Sequence, residues 1–127
     1  MIYSVWIVSD QTEGSVIEPF AVGSEVTWPI VSKFGDDEYL MPFIGEEEVA
    51  RITHAVDGYF ALQPVEGTVM TIRKLFGKYG LRDNGVMGRP IPGSGRFFTD
   101  NKAVRWEEEK EEEGLAFIGY MVDLEVP

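Results

Sequence analysis

Fourteen glycines and seven prolines punctuate this chain, and the stretches between them are short and rich in β-branched and aromatic residues. Such spacing favours strands joined by tight turns over long helices. In the C-terminal run, Ala116, Ile118, Tyr120, Val122, Leu124 and Val126 share one face, with Asp123 and Glu125 opposite, the period-two pattern of a strand. Ile2 to Val8 is apolar at odd and even positions alike, as a strand covered on both faces requires. After Gly23 and Ser24, the positions Val26, Trp28 and Ile30 lie opposite Glu25 and Thr27, and Pro29, with no N–H to donate, implies an edge or a bulge.

Two further strands follow from turn chemistry. Asp57-Gly58, between Ile52–Val56 and Tyr59–Leu62, has the composition of a type I′ hairpin turn, in which both central residues need positive φ. From Gly67 to Tyr79, Met70 and Ile72 share a face and the phase shifts at Lys74-Leu75, which predicts a long bulged strand. Only Gly45 to Thr53 offers a helix, with Glu46, Glu47 and Glu48 in a first turn and Val49, Ile52 and Thr53 on one side. The expected fold is a single domain over residues 1–127, mostly β, a small antiparallel barrel or curled sheet with at most one or two short helices.

Composition narrows the chemistry. With 22 acidic and 11 basic residues the net charge is −11, which disfavours nucleic acid and anionic membranes as partners of the whole molecule. No apolar run approaches the roughly 20 residues of a spanning helix. Met1 to Val8 lacks the features of a signal peptide, so a cytoplasmic protein is expected. There is no cysteine and one histidine, His54, which excludes thiolate and paired-imidazole metal sites and cysteine nucleophiles. The acidic run Glu107–Glu113 has neither the alternating ligands nor the glycine of a calcium loop and reads as a solvated segment. No metal and no cofactor is expected.

The charge is unevenly spread. Between Thr71 and Arg105, Arg73, Lys74, Lys78, Arg82, Arg89, Arg96, Lys102 and Arg105 stand against Asp83 and Asp100, a balance of +6, which leaves −17 elsewhere. Within this segment Gly88-Arg89-Pro90-Ile91-Pro92-Gly93-Ser94-Gly95-Arg96 is the sharpest candidate site. Glycines allow backbone N–H groups to converge on an anion, and Arg89 and Arg96 offer bidentate contacts to phosphate or carboxylate. The candidate ligand-binding residues are therefore Arg89, Gly93, Ser94, Gly95 and Arg96. The spacing is not that of a P-loop, and a turn between two strands explains the same residues. His54 is the sole candidate for a general base, but Ile52, Val56, Tyr59 and Ala61 make its surroundings apolar and argue for a half-buried structural residue. Phe97-Phe98 beside Arg96 and Arg105 is the one place where aromatic and basic residues interleave.

Three functions compete. The first is a non-enzymatic barrel that binds a partner protein, a second copy of the chain or a small anionic ligand. The second is a hydrolase or isomerase using His54 as base, and the third is single-stranded nucleic-acid binding through residues 71–105.

Four stretches carry a family resemblance: EPFAVGSEVTW at 18–28, GTVMTIRKLFGKY at 67–79, PIPGSGRFFTD at 90–100 and GLAFIGYMVDL at 114–124. They resemble an uncharacterised family of small actinobacterial proteins classed as a domain of unknown function. The resemblance implies no activity. It does imply a cysteine pair before the Pro-Phe and a histidine-rich stretch after the His54 region, whereas this chain has Ser15-Val16-Ile17 and a single histidine.

Overall fold

The computed structural model describes residues 1–9, 12, 17–31, 37–55, 64–81, 87–107 and 114–127. The strands are β1 (Ile2–Val8), β2 (Phe20–Ala21), β3 (Glu25–Val31), β4 (Ile52–Ala55), β5 (Pro64–Gly77), β6 (Tyr79–Leu81), β7 (Met87–Pro90), β8 (Arg96–Asp100), β9 (Lys102–Ala103) and β10 (Ala116–Glu125). Two short helices, α1 (Asp37–Ile44) and α2 (Glu46–Arg51), lie between β3 and β4. Among the described residues no helix is long and apolar enough to cross a membrane. The expected Asp57-Gly58 turn lies outside the described residues.

Five strands close into a barrel in the cyclic order β1-β4-β3-β5-β10. Among the described residues only β1 and β4 run parallel, pairing Ser4 with Ile52 and Trp6 with His54; the other barrel pairings are antiparallel. Along one edge β5 pairs first with β3, at residues 64–68, and then with β8, at residues 72–76, while β10 holds the other edge. Pro29 falls where β3 passes from β5 to β4, so a missing N–H costs little there.

The interior holds Val5, Ile7, Trp28, Val69, Ile72, Phe76, Phe117, Tyr120, Val122 and Leu124, joined by Ile17 and Phe20 from the segment after β1. Phe20 meets the rings of Trp28 and Tyr120 edge-on, at 4.9 and 5.9 Å. Two bulges decide which residues reach it. In β10, Phe117 pairs with Phe76 and Gly119 with Leu75, so Ile118 is the extra residue. The uniform alternation expected from Ala116 to Val126 is therefore broken: Phe117 turns inward with Tyr120, and Ala116 and Ile118 turn outward. In β5, Asp123 faces Thr71 and Leu124 faces Val69, which makes Met70 the extra residue, 43% exposed. The phase shift expected at Lys74-Leu75 thus occurs at Met70, and its consequence is that Lys74 shares the inward face with Ile72 and Phe76.

A second core lies outside the barrel wall. Trp6, Leu75, Ile118 and Met121 point outward from β1, β5 and β10 and are covered by Leu40 and Phe43 of α1, Val49 of α2 and Ile52. This cover explains why β1 is apolar on both faces. The helix expected near Gly45 is α2; α1 was not legible, because Pro42 reads as a breaker. It is tolerated because it removes only one bond from an eight-residue helix whose packing face is Leu40, Phe43 and Ile44. Gly45 separates the helices at φ +89°, a conformation that favours glycine, and its N–H donates to the Met41 carbonyl at 2.8 Å.

Candidate functional site

The turn after β7 and the junction between β5 and β6 are held together by hydrogen bonds. Ile91 N–H donates to the Lys78 carbonyl at 2.8 Å, and Lys78 N–H donates to Ser94 Oγ at 3.0 Å. Ser94 N–H donates to Ile91 O, and Gly93 N–H crosses to the Pro42 carbonyl of α1 at 2.8 Å. The N–H groups of Gly93 and Ser94 are thus committed within the protein instead of converging on an open anion position. Gly95 has a packing role: a Cβ there would run into the Phe43 carbonyl oxygen, so only glycine lets the turn lie against α1.

These bonds shape an open cleft of about 380 Å³ lined by Lys78, Ile91, Pro92, Gly93, Ser94, Arg96 and Leu115. Of the residues expected at a ligand site, Gly93, Ser94 and Arg96 line the cleft. Arg89 is exposed on β7 and does not line it, and neither does Gly95. Lys78 takes the position of second cation, which sequence spacing had no means of indicating, since it depends on β5 running directly into β6.

Of the described basic residues of this segment, Arg73, Lys74 and Arg105 are paired with carboxylates, and Lys78, Arg89, Arg96 and Lys102 are paired with none among the described residues. Arg73 lies 3.6 Å from Glu48 and over the Phe97 ring at 4.5 Å, and Arg105 lies 3.0 Å from Glu18. Lys74 sits between Asp100 and Glu107. Among the described residues Lys78 and Arg96 reach no carboxylate, and none of those lining the cleft is acidic. Among the described residues Arg96 makes one long contact, 3.4 Å, from Nη1 to the Gly95 carbonyl.

A second polar group was missed in the sequence and lies at the end of the barrel. Lys74 Nζ is 2.6 Å from Asp100 Oδ2 and 3.1 Å from Glu107 Oε1. The Tyr120 hydroxyl donates to Glu107 Oε1 at 2.8 Å, and Val104 N–H donates to that hydroxyl at 3.0 Å. Burial works against the Lys74 charge, but the bonds from both carboxylates outweigh it and hold the ammonium above its ordinary range. The Lys74 bond, with backbone donors at Asn101 and Lys102, holds Asp100 below the usual carboxylate range. Burial, reinforced by Glu107, pushes the Tyr120 phenol well up. Glu107, expected in a solvated acidic loop, is thus turned inward with a side chain only 10% exposed; residues 108–113 lie outside those described. The cluster fastens β8 and residues 104–107 to the barrel.

His54 is buried, not half-buried, at 1% exposure on β4, opposite Trp6 on one side and Val31 on the other, and it does not line the cleft. Phe98 packs edge-on against Phe76 at 5.5 Å, and Phe97 lies beneath Arg73. Neither ring is displayed as an open stacking platform.

A family profile spans residues 4–126. The chain belongs to the family of unknown function DUF6578. No curated protein and no solved structure matches it. The family span includes the cleft residues and the Lys74 cluster.

Proposed function

We propose that this protein is a non-catalytic binding module that takes a small anionic ligand, bearing a phosphate or carboxylate, between Lys78 and Arg96. The observation that carries the reading is the pairing pattern: Arg73, Lys74 and Arg105 are matched by carboxylates, while Lys78 and Arg96 line one cleft to which the described residues bring none. A guanidinium binds an oxyanion through two parallel N–H bonds, an ammonium adds a point charge, and Ile91, Pro92 and Leu115 offer apolar contact. A cleft of about 380 Å³ falls at the small end of ligand sites, which run from roughly 300 to 1,000 Å³.

The topology lends support by analogy. The cyclic strand order, with its single parallel pair, is that of the five-stranded OB barrel entered at a different strand. Barrels of that plan bind ligands on the face corresponding to β10 and β1 and on the loops corresponding to residues 78–115 and 32–51. Here α1 and α2 cover the strand face, and the cleft remains open within the 78–115 segment. Chemistry at His54 has no comparable observation behind it, since that ring is buried in the sheet.

Isothermal titration with inorganic pyrophosphate and with malonate tests the reading. Binding of either, weakened tenfold or more by Lys78→Ala and by Arg96→Ala and reduced by added salt, is the expected result. No heat at millimolar ligand, or an affinity in both variants equal to that of the native chain, overturns it.

A further inference from the structure

Resting on the anion-binding reading of the cleft, we propose that the anion it receives is carried on a polypeptide. An acidic peptide of a partner protein sets a carboxylate between Lys78 and Arg96 and lays a large apolar side chain across Ile91 and Met41. From Tyr39 to Ile44, α1 carries no charged side chain. Leu40, Phe43 and Ile44 make up its packing face, yet Tyr39 and Met41 are exposed. A surface helix ordinarily turns polar residues outward, as α2 does with Glu46, Glu47 and Arg51.

The apolar outer side of α1 leads into the cleft. Gly93 N–H donates to the Pro42 carbonyl at 2.8 Å, which fixes the 91–95 turn against the helix one residue from Met41. Ile91, also exposed, belongs with Pro92 and Gly93 both to that turn and to the cleft lining. Tyr39 packs on Tyr79 at 5.8 Å, and Tyr79 follows Lys78 directly. Single exposed apolar residues are ordinary, whereas a group of them gathered beside polar ones marks a docking surface.

Charge selects the occupant. The described residues bring two cations and no carboxylate to the cleft lining, so the partner supplies the acid. Glu46 and Glu47, exposed on α2, repel its carboxylates, which directs these to the cleft and the apolar side chain to α1. An anionic bilayer or a second copy would set an extended negative surface against a chain of net charge −11, whereas a short peptide meets the field of the site alone. A concave site of about 380 Å³ also suits an inserted side chain better than a flat membrane.

Isothermal titration of the full chain compares acetyl-Glu-Glu-Leu-Phe-Glu-Glu-amide with the charge-matched acetyl-Glu-Glu-Gly-Gly-Glu-Glu-amide. The native chain should bind the first about tenfold more tightly, the difference that burial of an apolar side chain provides. Lys78→Ala and Arg96→Ala should weaken both peptides, and Met41→Gln and Ile91→Gln, at exposed positions, should each remove the preference. No preference in the native chain, or one that survives both glutamine variants, overturns the proposal; if Met41→Gln fails to fold, Ile91→Gln decides alone. Self-association in sedimentation that Met41→Gln abolishes gives the face to a second copy, and binding to phosphatidylserine vesicles that Met41→Gln abolishes gives it to a membrane. Either result overturns the peptide assignment. Pyrophosphate or malonate bound without a peptide preference overturns this proposal and leaves the anion site standing, whereas no binding of peptide, pyrophosphate or malonate overturns both.

Discussion

Lys74 and Asp100 meet through their side chains at 2.6 Å although their strand neighbours are Phe98 and Ile72, so the ion pair runs diagonally across the β5–β8 ladder. The diagonal binds β8 to the barrel wall near the point where Glu107 returns.

Acid should weaken this link. Asp100 has a folded pKa below its ordinary value, so its contribution is present above the unfolded carboxylate pKa and lost as pH falls through the folded one. Urea unfolding of the native chain and of Asp100→Asn should differ most near neutrality, with the native chain more stable. The two should converge as pH falls below the lowered folded pKa of Asp100. Curves that stay parallel from neutral to acid pH contradict the assignment.

Removing the cation should leave two carboxylates facing each other. Lys74→Met is expected to cost about 2 kcal/mol, less than a fully buried pair because the Lys74 side chain is 17% exposed. Adding Glu107→Gln should recover part of that loss, as measured by denaturant midpoints in a double-mutant cycle. At the alkaline end the sign reverses: the raised folded pKa of Lys74 keeps its contribution intact below the unfolded pKa and removes it as pH rises through the folded value.

The Tyr120 hydroxyl holds residues 104–107 to the barrel by bonds with Val104 and Glu107. Tyr120→Phe leaves the Val104 N–H and a Glu107 oxygen without this partner and should cost about 1–3 kcal/mol. Faster amide exchange confined at first to residues 103–107 would distinguish this from a general loss of core packing.

Phe43 anchors α1 over the outer wall and touches Tyr79 edge-on at 5.5 Å. Phe43→Ala should cost about 3–5 kcal/mol and uncover Trp6, which is 1% exposed. A red shift in tryptophan emission before global unfolding is the expected signature; Trp28 sits in the inner core and should not contribute to it.

Gly95→Ala should destabilise the chain by about 1–3 kcal/mol through the Phe43 carbonyl, although the residue stands in a turn next to exposed positions. Thermal melts of this variant against Pro92→Ala, at an exposed turn position with no such contact, provide the comparison.

Strand existence and the mostly β class were legible because alternation and turn residues are local properties. Trp28 points inward with Val26 and Ile30 beside it, as their spacing indicates. Phase was less secure. The bulges at Ile118 and Met70 arise from pairing β10 against β5, so a pattern read along either strand alone misplaces Phe117 and Lys74. The Gly93-Ser94-Arg96 turn was visible as a candidate site, whereas Lys78 and the carboxylates around Lys74 were not, because they arrive from other segments.

The residues alone were enough to establish short strands, a small core and a basic stretch within an acidic chain, since each is written in neighbouring positions. Which charges are matched is another matter. Lys74 and Glu107 stand 33 positions apart, and Arg105 and Glu18 stand 87 apart. Ion pairing falls off within a few ångströms in water, so it was barrel closure, in bringing these segments together, that neutralised some cations and left Lys78 and Arg96 facing an open cleft.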